Sequence, residues 1–328
     1  MEGNNSPLMV SIRCITYNHK QYIRQCLDGF VMQKTNFRFE AIVHDDASTD
    51  GTADIIRDYA KKYPDIIKPI FETENQYSKR NGSLRKIMDA HMHGKYIAYC
   101  EGDDFWTDPL KLQKQIDFLE NHKEYSMSHT NCLCYNQNKQ KYTNDPIEQK
   151  KSEIGNDLTC EDIILYPRIV LTLTVVIRKS VYEQIHKTDP FIFDTGNFLL
   201  GDIPMWYTAA RLGKVHYLNE TTSVYRVLEN SASHIKGKQN KYKFAVSAQG
   251  LRAYLCRRDN LSKELSSLIE KRYANALLHH LALNPDYKPV VPLLPKTHLF
   301  ELYLKKIKLL GLYLVLRDSL KKIKNIFK

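Results

Sequence analysis

The fold of this chain is indicated by one stretch, Tyr96-Ile97-Ala98-Tyr99-Cys100-Glu101-Gly102-Asp103-Asp104-Phe105-Trp106. Its first half is an apolar run of strand-forming residues, which is typical of a buried strand in a parallel sheet. Ligands of such sheets lie beyond the carboxyl ends of the strands, so Asp103 and Asp104 are predicted to face a ligand. Adjacent acids repel each other unless a cation neutralises them, and Mg²⁺ is usually held by one or two carboxylates plus substrate phosphates. The stretch therefore predicts a metal–diphosphate site, and the alternative is an ordinary strand-to-helix turn.

Strands and helices alternate on both sides of this stretch. The predicted strands of the first half are 9–16, 37–44, 66–71 and the one that begins at 96, and the predicted helices are 21–33, 52–63 and 109–121. Further strands are predicted at 127–135, 170–177, 215–218 and 223–227, with a polar loop at 136–156 and a helix at 202–212. We expect an α/β fold with a single, mostly parallel sheet flanked by helices. The catalytic domain is predicted at residues 1–235, and a helical C-terminal region at 236–328.

The composition favours a protein that works inside the cell. The 328 residues are 43% hydrophobic, and no run approaches the ~18 apolar residues of a membrane-spanning helix. The N-terminus shows no apolar signal segment after a basic start, and the odd number of cysteines, seven, suits reduced thiols. We therefore expect a cytoplasmic location.

The positive charge is concentrated in the tail. Residues 296–328 contain nine lysines and arginines and two acids, a net of +7 out of +11 for the chain. The segment from Leu299 to Lys328 mixes these lysines with apolar residues. Such a segment can lie on an anionic membrane surface, which would place the protein on the inner face of the cytoplasmic membrane. The alternative is a helix that packs on the catalytic domain with its lysines solvated.

Two further acidic positions lie at predicted element ends. Asp45 and Asp46 end the second strand, where a carboxylate can accept hydrogen bonds from a nucleobase or a ribose. Asp202 follows Gly201 at the start of a helix, and a helix N-terminus keeps a carboxylate ionised. An ionised carboxylate suits a general base that deprotonates a sugar hydroxyl. In both cases the alternative role is helix capping.

Three motifs resemble, in order and spacing, those of the family-two glycosyltransferases. They are Ile15-Thr16-Tyr17-Asn18, the run from Asp45 to Thr52, and the run from Gly94 to Asp104. The match covers about residues 8–120 well and continues more weakly through Gly201-Asp202 and Tyr225-Arg226. The chain departs from the family at Ile15, where a proline is common, and in the spacing of Glu101-Gly102-Asp103-Asp104.

The resemblance implies an inverting enzyme of the glycosyltransferase A-type fold that uses a nucleotide-diphosphate sugar. The donor is expected to be a UDP-sugar and the acceptor a glycan or a lipid-linked saccharide, in the synthesis of a cell-surface or capsular polysaccharide. The cofactor implied is Mn²⁺ or Mg²⁺. The residues implied are Ile15, Thr16, Tyr17, Asp45, Asp46, Arg80 and Asp103 for the nucleotide sugar, Asp104, Asp103 and His234 for the metal, and Asp202 as the catalytic base.

Other classes of protein fit the sequence less well. A sugar-nucleotide nucleotidyltransferase usually needs a glycine-rich phosphate loop after the first strand, and residues 16–22 contain no glycine. The absence of G-x-G-x-x-G there also argues against a dinucleotide-dependent oxidoreductase. A nucleic-acid binder is suggested by the basic pI alone, and no recognised nucleic-acid motif accompanies it.

Overall fold

The computed structural model describes residues 7–145, 147–228 and 237–291, which form two compact units. The first unit contains the described residues of Met1–Gly196 and Gly201–Glu229. The second contains the described residues of Asn197–Leu200 and Asn230–Lys328. Every predicted site residue that falls in the described ranges lies in the first unit.

The first half of the chain alternates strands and helices as its sequence predicts. The elements are β1 (Leu8–Thr16), α1 (Ile23–Val31), β2 (Arg38–Asp45), α2 (Thr52–Lys62), β3 (Ile67–Phe71), α3 (Gln76–Lys79), α4 (Ser83–His91), β4 (Tyr96–Tyr99), β5 (Phe105–Trp106) and α5 (Lys111–Asn121). Apolar residues recur at helical spacing, so each longer helix buries one face. The buried face of α1 consists of Ile23, Cys26, Leu27, Gly29 and Phe30.

The second half adds shorter elements around two long strands. They are β6 (Tyr125–Asn136), β7 (Lys141–Asn144), α6 (Glu148–Ile154), β8 (Asp157–Leu158), α7 (Cys160–Leu165), a 3₁₀ turn (Thr172–Thr174), β9 (Val176–Arg178), α8 (Lys179–Thr188), α9 (Pro190–Phe193), α10 (Asp202–Leu212) and β10 (Lys214–Val227).

One sheet contains all the strands of this unit, in the order β3-β2-β1-β4-β9-β6-β10-β5, with β7 beside β6 and β8 beside β10. The pairs β1–β2, β2–β3, β1–β4 and β6–β10 are parallel. Each antiparallel pair includes one of the short strands β5, β7, β8 or β9. The predicted α/β fold with a mostly parallel sheet is confirmed. In a sheet of this kind the carboxyl ends of β1, β2 and β4 lie side by side, and this is where the acidic motifs stand.

The predicted loop at 136–156 is wrong, because this segment contains β7 and α6. Lys151 of α6 is fully buried, and its Nζ lies 2.7 Å from Oδ2 of Asp145, which is also buried. The polar composition of the segment suggested a solvated loop. Two of its charges instead neutralise each other inside the protein, which makes their burial tolerable.

Two other predicted boundaries differ from the structure. The β-branched run 170–177 was expected to be one strand, but it contains a 3₁₀ turn, and only Val176–Arg178 pairs in the sheet. The predicted strands 215–218 and 223–227 are one strand, β10, with irregular register between Leu218 and Ser223. The polar residues at the irregularity gave the appearance of a turn in the sequence.

The second unit consists mainly of two helices, α11 (Lys238–Arg258) and α12 (Lys263–Leu281). They bury Leu251, Leu255, Ile269, Tyr273 and Leu277, and the Tyr273 hydroxyl donates to the carbonyl of Val291. Within the described ranges, no helix is long and apolar enough to cross a membrane. The basic tail from Leu299 to Lys328 lies outside the described residues, so its predicted contact with a membrane surface stays a prediction.

Candidate functional site

The first and second acidic motifs meet at the end of β1. Thr16 is in register with Asp45 of β2, and the backbone N–H of Asp46 donates to the carbonyl of Thr16 at 2.9 Å. On the other side of β1, the N–H of Gly102 donates to the carbonyl of Ile15 at 2.9 Å. Residues 15 and 16 therefore lie between the Asp45–Asp46 pair and the turn that holds Asp103 and Asp104.

Gly102 is required by this close approach. A Cβ atom on Gly102 would lie 2.5 Å from Oγ1 of Thr16 and 3.1 Å from Nδ1 of His19. Any side chain there would push the acidic turn away from the end of β1. The glycine in Glu101-Gly102-Asp103-Asp104 thus sets the distance between the two motifs.

Asp46 holds the loop that follows β3. Its two carboxylate oxygens accept the backbone N–H groups of Gln76, at 2.7 Å, and Tyr77, at 3.0 Å. Asp45 is also buried, and its Oδ2 accepts the N–H of Ser48 at 3.3 Å, whereas its Oδ1 has no hydrogen-bond partner in the protein. Of the two acids, Asp45 therefore has the carboxylate oxygen without a protein donor.

The loops after β1 and β2 are joined by hydrogen bonds. The N–H of Asn18 donates to Oγ of Ser48 at 2.8 Å, and the N–H of Thr49 donates to Oδ1 of Asn18 at 2.8 Å. Tyr17 follows β1 directly and is 46% exposed, so a large part of its side chain is accessible to solvent. A flat ligand such as a nucleobase can pack on an exposed ring of this kind.

The acidic turn carries three carboxylates. Asp104 is only 4% exposed, and burial, followed by the charges of Asp103 and Glu101, raises its pKa well above the usual range. Burial and the charge of Asp103 likewise raise the pKa of Glu101 to about 7. No role is predicted for Glu101 from the sequence.

The donor set of this turn fits a hard divalent cation, because carboxylate oxygens are its preferred ligands and a positive ion would relieve the repulsion among these acids. No group of three or more potential ligands capable of holding a metal ion is found in the part of the chain that the structure describes. A cation at this turn would be held by the carboxylates of Asp103 and Asp104. His234 lies outside the described residues, and its predicted part in metal binding stays a prediction.

Arg226 contacts the acidic turn from β10. Its backbone N–H donates to Oδ1 of Asp104, and its Nε donates to the carbonyl of Asp103, both at 2.7 Å. In the sequence, Tyr225-Arg226 belongs only to the weaker part of the family resemblance, and no role is predicted for Arg226. A signal was present, since an arginine in an otherwise apolar strand end needs acceptors nearby.

Asp202 is the first residue of α10 and is half-buried. Its Oδ1 accepts the N–H of Ile203 at 2.8 Å. The charge of Asp202 contributes to the raised pKa of Glu101, which shows that the two carboxylates are within electrostatic reach. One turn along α10, the Trp206 ring packs edge-on against Tyr99 of β4 at 5.4 Å. This packing fixes the start of α10 next to the strand that leads into the acidic turn.

Arg80 lies at the periphery of this arrangement. It follows α3, is exposed, and has a left-handed backbone with φ of 50°. Its carbonyl would lie 3.2 Å from a Cβ atom on Gly196, so the loop after α3 runs close to the loop that precedes α10. The predicted contact of Arg80 with a nucleotide stays a prediction.

Comparisons with known proteins agree with this geometry. The family model described as glycosyl transferase family 2 matches residues 11–171, which include both acidic motifs. The chain is 35% identical to EpsE of Bacillus subtilis, a protein named as a glycosyltransferase, over 284 residues that cover 87% of this chain and 95% of EpsE. It is 30% identical to TuaG of the same species, named for teichuronic acid biosynthesis, over 71% of this chain and 84% of TuaG.

Solved structures share the fold. Residues 1–349 of TarS from S. aureus, in complex with UDP-GlcNAc, match with a TM-score of 0.55 and 18% identity, covering 84% of this chain and 73% of that one. The mannosyltransferase PcManGT from Pyrobaculum calidifontis, in complex with GDP-Man and Mn²⁺, matches with a TM-score of 0.52 and 16% identity, covering 93% and 87%.

Some relatives are longer than this chain. It spans 58% of the length of uncharacterized mycobacterial proteins to which it is 36% identical over 222 residues. The family assignment does not depend on them, since EpsE is matched over nearly its whole length. The chain belongs to glycosyl transferase family 2.

Proposed function

We propose that this chain is an inverting glycosyltransferase that moves a sugar from a nucleotide-diphosphate donor to a hydroxyl of a glycan or lipid-linked saccharide. The observation that carries the proposal is that two acidic motifs follow the carboxyl ends of neighbouring strands, with a third acid on the helix that packs against β4. Asp45 has a buried oxygen without a protein donor, Asp104 belongs to a turn of repelling carboxylates, and Asp202 begins the helix packed beside that turn. These positions suit the nucleoside, the diphosphate with its cation, and the attacking hydroxyl, respectively.

In this proposal the donor lies across the ends of β1, β2 and β4. Tyr17 packs against the nucleobase, and Asp45 accepts a hydrogen bond from the base or the ribose. Asp103 and Asp104 hold Mn²⁺ or Mg²⁺, which when bound supplies Lewis-acid stabilisation of the charge that develops on the leaving diphosphate. Asp46 acts indirectly, because its carboxylate holds the loop that begins at Gln76.

The chemical step is a single displacement. The acceptor hydroxyl attacks the anomeric carbon from the face opposite the leaving nucleoside diphosphate, and Asp202 takes the hydroxyl proton as the new glycosidic bond forms. One displacement inverts the configuration at that carbon. The partial exposure of Asp202 suits this role, because a base has to be accessible to the acceptor.

The choice of donor and pathway is supported by the relatives. TarS was solved with UDP-GlcNAc, and PcManGT with GDP-Man and Mn²⁺. TuaG is named for the synthesis of a cell-surface polymer. We therefore propose a UDP-sugar donor, Mn²⁺ or Mg²⁺ as cofactor, and a role in cell-surface polysaccharide synthesis. The lysine-rich segment 296–328 would bring the enzyme to an anionic membrane that carries the acceptor.

The donor site is tested by calorimetry. UDP should bind to the wild-type chain more tightly with Mn²⁺ than without it, and Asp104→Ala should abolish this difference. The matched control is Asp117→Asn, which alters an acid of α5 that accepts a hydrogen bond from Gln113 on the surface. Failure of the wild type to bind UDP, GDP, CMP or dTDP under any metal would contradict the proposal.

The catalytic base is tested separately. Asp202→Asn should bind UDP nearly as the wild type does and should lower the turnover of a UDP-sugar at least ~100-fold, the lower range for the loss of a general base. Turnover like that of the wild type in this variant would exclude Asp202 as the base. Co-sedimentation of the full chain with phosphatidylglycerol vesicles, compared with phosphatidylcholine vesicles, tests the membrane contact.

A further inference from the structure

Arg226 is surrounded by acceptors that belong to the protein. Its Nε donates to the carbonyl of Asp103, one Nη donates to Oε1 of Gln137, and the other donates to Oε1 of Gln25, each at 2.7 Å. Its backbone N–H donates to Oδ1 of Asp104. Every nitrogen of the side chain thus has a protein partner, and these partners come from three separate parts of the chain.

Aromatic rings enclose the same guanidinium. Its central carbon lies 4.9 Å from the ring centre of Tyr22, 5.1 Å from that of Phe105 and 5.6 Å from that of Tyr135. Arg226 is only 5% exposed. Cation–π contacts of this kind stabilise a charge that has been removed from water. Among the described contacts, the guanidinium thus lies beside the acidic turn and donates to a carbonyl and two amide oxygens rather than to a carboxylate.

An arginine next to a diphosphate site would ordinarily be expected to bind phosphate, because its planar fork matches phosphate oxygens. Here the fork points into the protein. We propose that Arg226 is a positioning residue: it fixes the Asp103–Asp104 turn in the orientation that accepts the cation, and it does not bind the diphosphate. This inference rests on the proposed function, and it adds a role for a residue outside the acidic motifs.

Geometry and charge can be separated by one substitution. Arg226→Lys keeps a positive charge among the three rings, so the repulsion between this charge and a bound cation is retained. A lysine ammonium on its flexible stem cannot reach Asp103, Gln25 and Gln137 in the planar arrangement of the fork. Loss of a group that orients metal ligands typically lowers metal affinity 10–100-fold. We expect a loss in this range from Arg226→Lys.

The experiment measures UDP affinity by calorimetry with and without Mn²⁺, using GDP instead if the wild type does not bind UDP. In the wild type, the ratio of the two affinities reports how well the acidic turn holds the cation. In Arg226→Lys this ratio should fall at least ~10-fold, whereas metal-free affinity for the nucleotide should change less than twofold. A direct phosphate contact would instead lower both affinities together.

Arg178 provides a matched control for folding. It also donates from all of its side-chain nitrogens, to Tyr125, Tyr96, Leu119 and His122, and its guanidinium carbon lies 5.4 Å from the ring centre of Tyr96. None of these partners belongs to the acidic turn. Arg178→Lys should lower the melting temperature by an amount similar to Arg226→Lys and leave the effect of Mn²⁺ on nucleotide affinity unchanged.

Three results would overturn the inference. One is an Arg226→Lys variant whose response to Mn²⁺ equals that of the wild type, which would show that only the charge matters. The second is an equal loss of affinity with and without Mn²⁺, which would show a direct phosphate contact. The third is a wild type that binds nucleotide identically with and without Mn²⁺, since the acids would then have no cation to hold. A wild type that binds no nucleotide contradicts the proposed function itself.

Discussion

Lys111, at the start of α5, buries an amino group inside the first unit, and the effect of this burial on stability can be measured. Its side chain is fully buried. The Nζ donates to Oε1 of Gln115 at 2.5 Å and to the carbonyl of Thr174 at 3.2 Å, and it lies 4.9 Å from the ring centre of Trp106. Burial lowers the pKa of this lysine from 10.5 to about 7.

The sign of the effect on stability follows from proton binding. Between about pH 7 and 10.5 the folded protein holds Lys111 neutral, whereas the unfolded chain holds it protonated. The unfolded state then binds one more proton, so the free energy of unfolding rises with pH by about 1.4 kcal/mol per unit. From pH 7 to pH 9.5 the free energy of unfolding rises by about 3 kcal/mol from this cause. Below pH 7 both states bind the proton, so the dependence of stability on pH fades.

The assay is urea unfolding of the wild type and of Lys111→Met at pH 7.0, 8.0, 9.0 and 9.5. Methionine is neutral and similar in length, so it removes the titration while filling most of the space. It also leaves the oxygens of Gln115 and Thr174 without their donor, which costs about 1–3 kcal/mol at every pH. From pH 7.0 to 9.5 we expect the free energy of unfolding of the wild type to rise by about 3 kcal/mol relative to that of the variant.

A difference between the two proteins that stays constant from pH 7.0 to 9.5 would refute the reasoning, because Lys111 would then be charged in both states. Other groups that titrate in this range are present in both proteins, and their contributions cancel in the difference. Gln113→Ala, at a partly buried position of the same helix, is the control for an effect of α5 itself.

Two further predictions concern the buried pair and the glycine. Asp145→Ala leaves the charge of Lys151 buried without its partner, so it should lower the free energy of unfolding by about 3–5 kcal/mol. Adding Lys151→Met to the same chain should recover part of this loss. Additive effects of the two substitutions in the double variant would argue against an interaction between the pair. Gly102→Ala places a methyl group against Thr16, so it should lower the free energy of unfolding by about 1–3 kcal/mol in chemical denaturation and weaken UDP binding. An unchanged affinity for UDP would show that the end of β1 and the acidic turn move independently.

The sequence was sufficient for the first half of the fold because local patterns and tertiary packing agree there. Apolar residues in α1 and α2 recur at helical spacing, and the acids after β2 and β4 stand where parallel strands end. The order of these elements therefore predicted that Asp45 and Asp104 would share one edge of the sheet. Their roles in binding remain proposals, because position alone does not identify a ligand.

The rest depended on contacts between polar groups, which the apolar pattern of the sequence does not predict. Lys151 reads as a surface residue until Asp145 is seen beside it in the interior. The part that Asp46 plays in holding a loop becomes visible only when its oxygens are seen to accept the N–H groups of Gln76 and Tyr77, and its predicted role in donor binding stays a prediction. The proposed role of Arg226 follows only from the groups that accept its hydrogen bonds. In each case the deciding contact is a hydrogen bond or ion pair between polar groups, and hydrophobic periodicity carries no information about such pairings.

The contacts of Arg226 also bear on the order of events during synthesis. Its bond to Asp104 joins residues 122 positions apart, and its bond to Gln25 joins residues 201 positions apart. At ~5–20 residues per second, the ribosome makes the acidic turn on the order of ten seconds before β10. Until β10 docks beside β6, the turn lacks the arginine that holds it. Nascent chains stalled before Arg226 should therefore contain β1, β2 and β4 and yet show no gain in nucleotide affinity from Mn²⁺, so that the acidic turn becomes able to hold a cation late in translation.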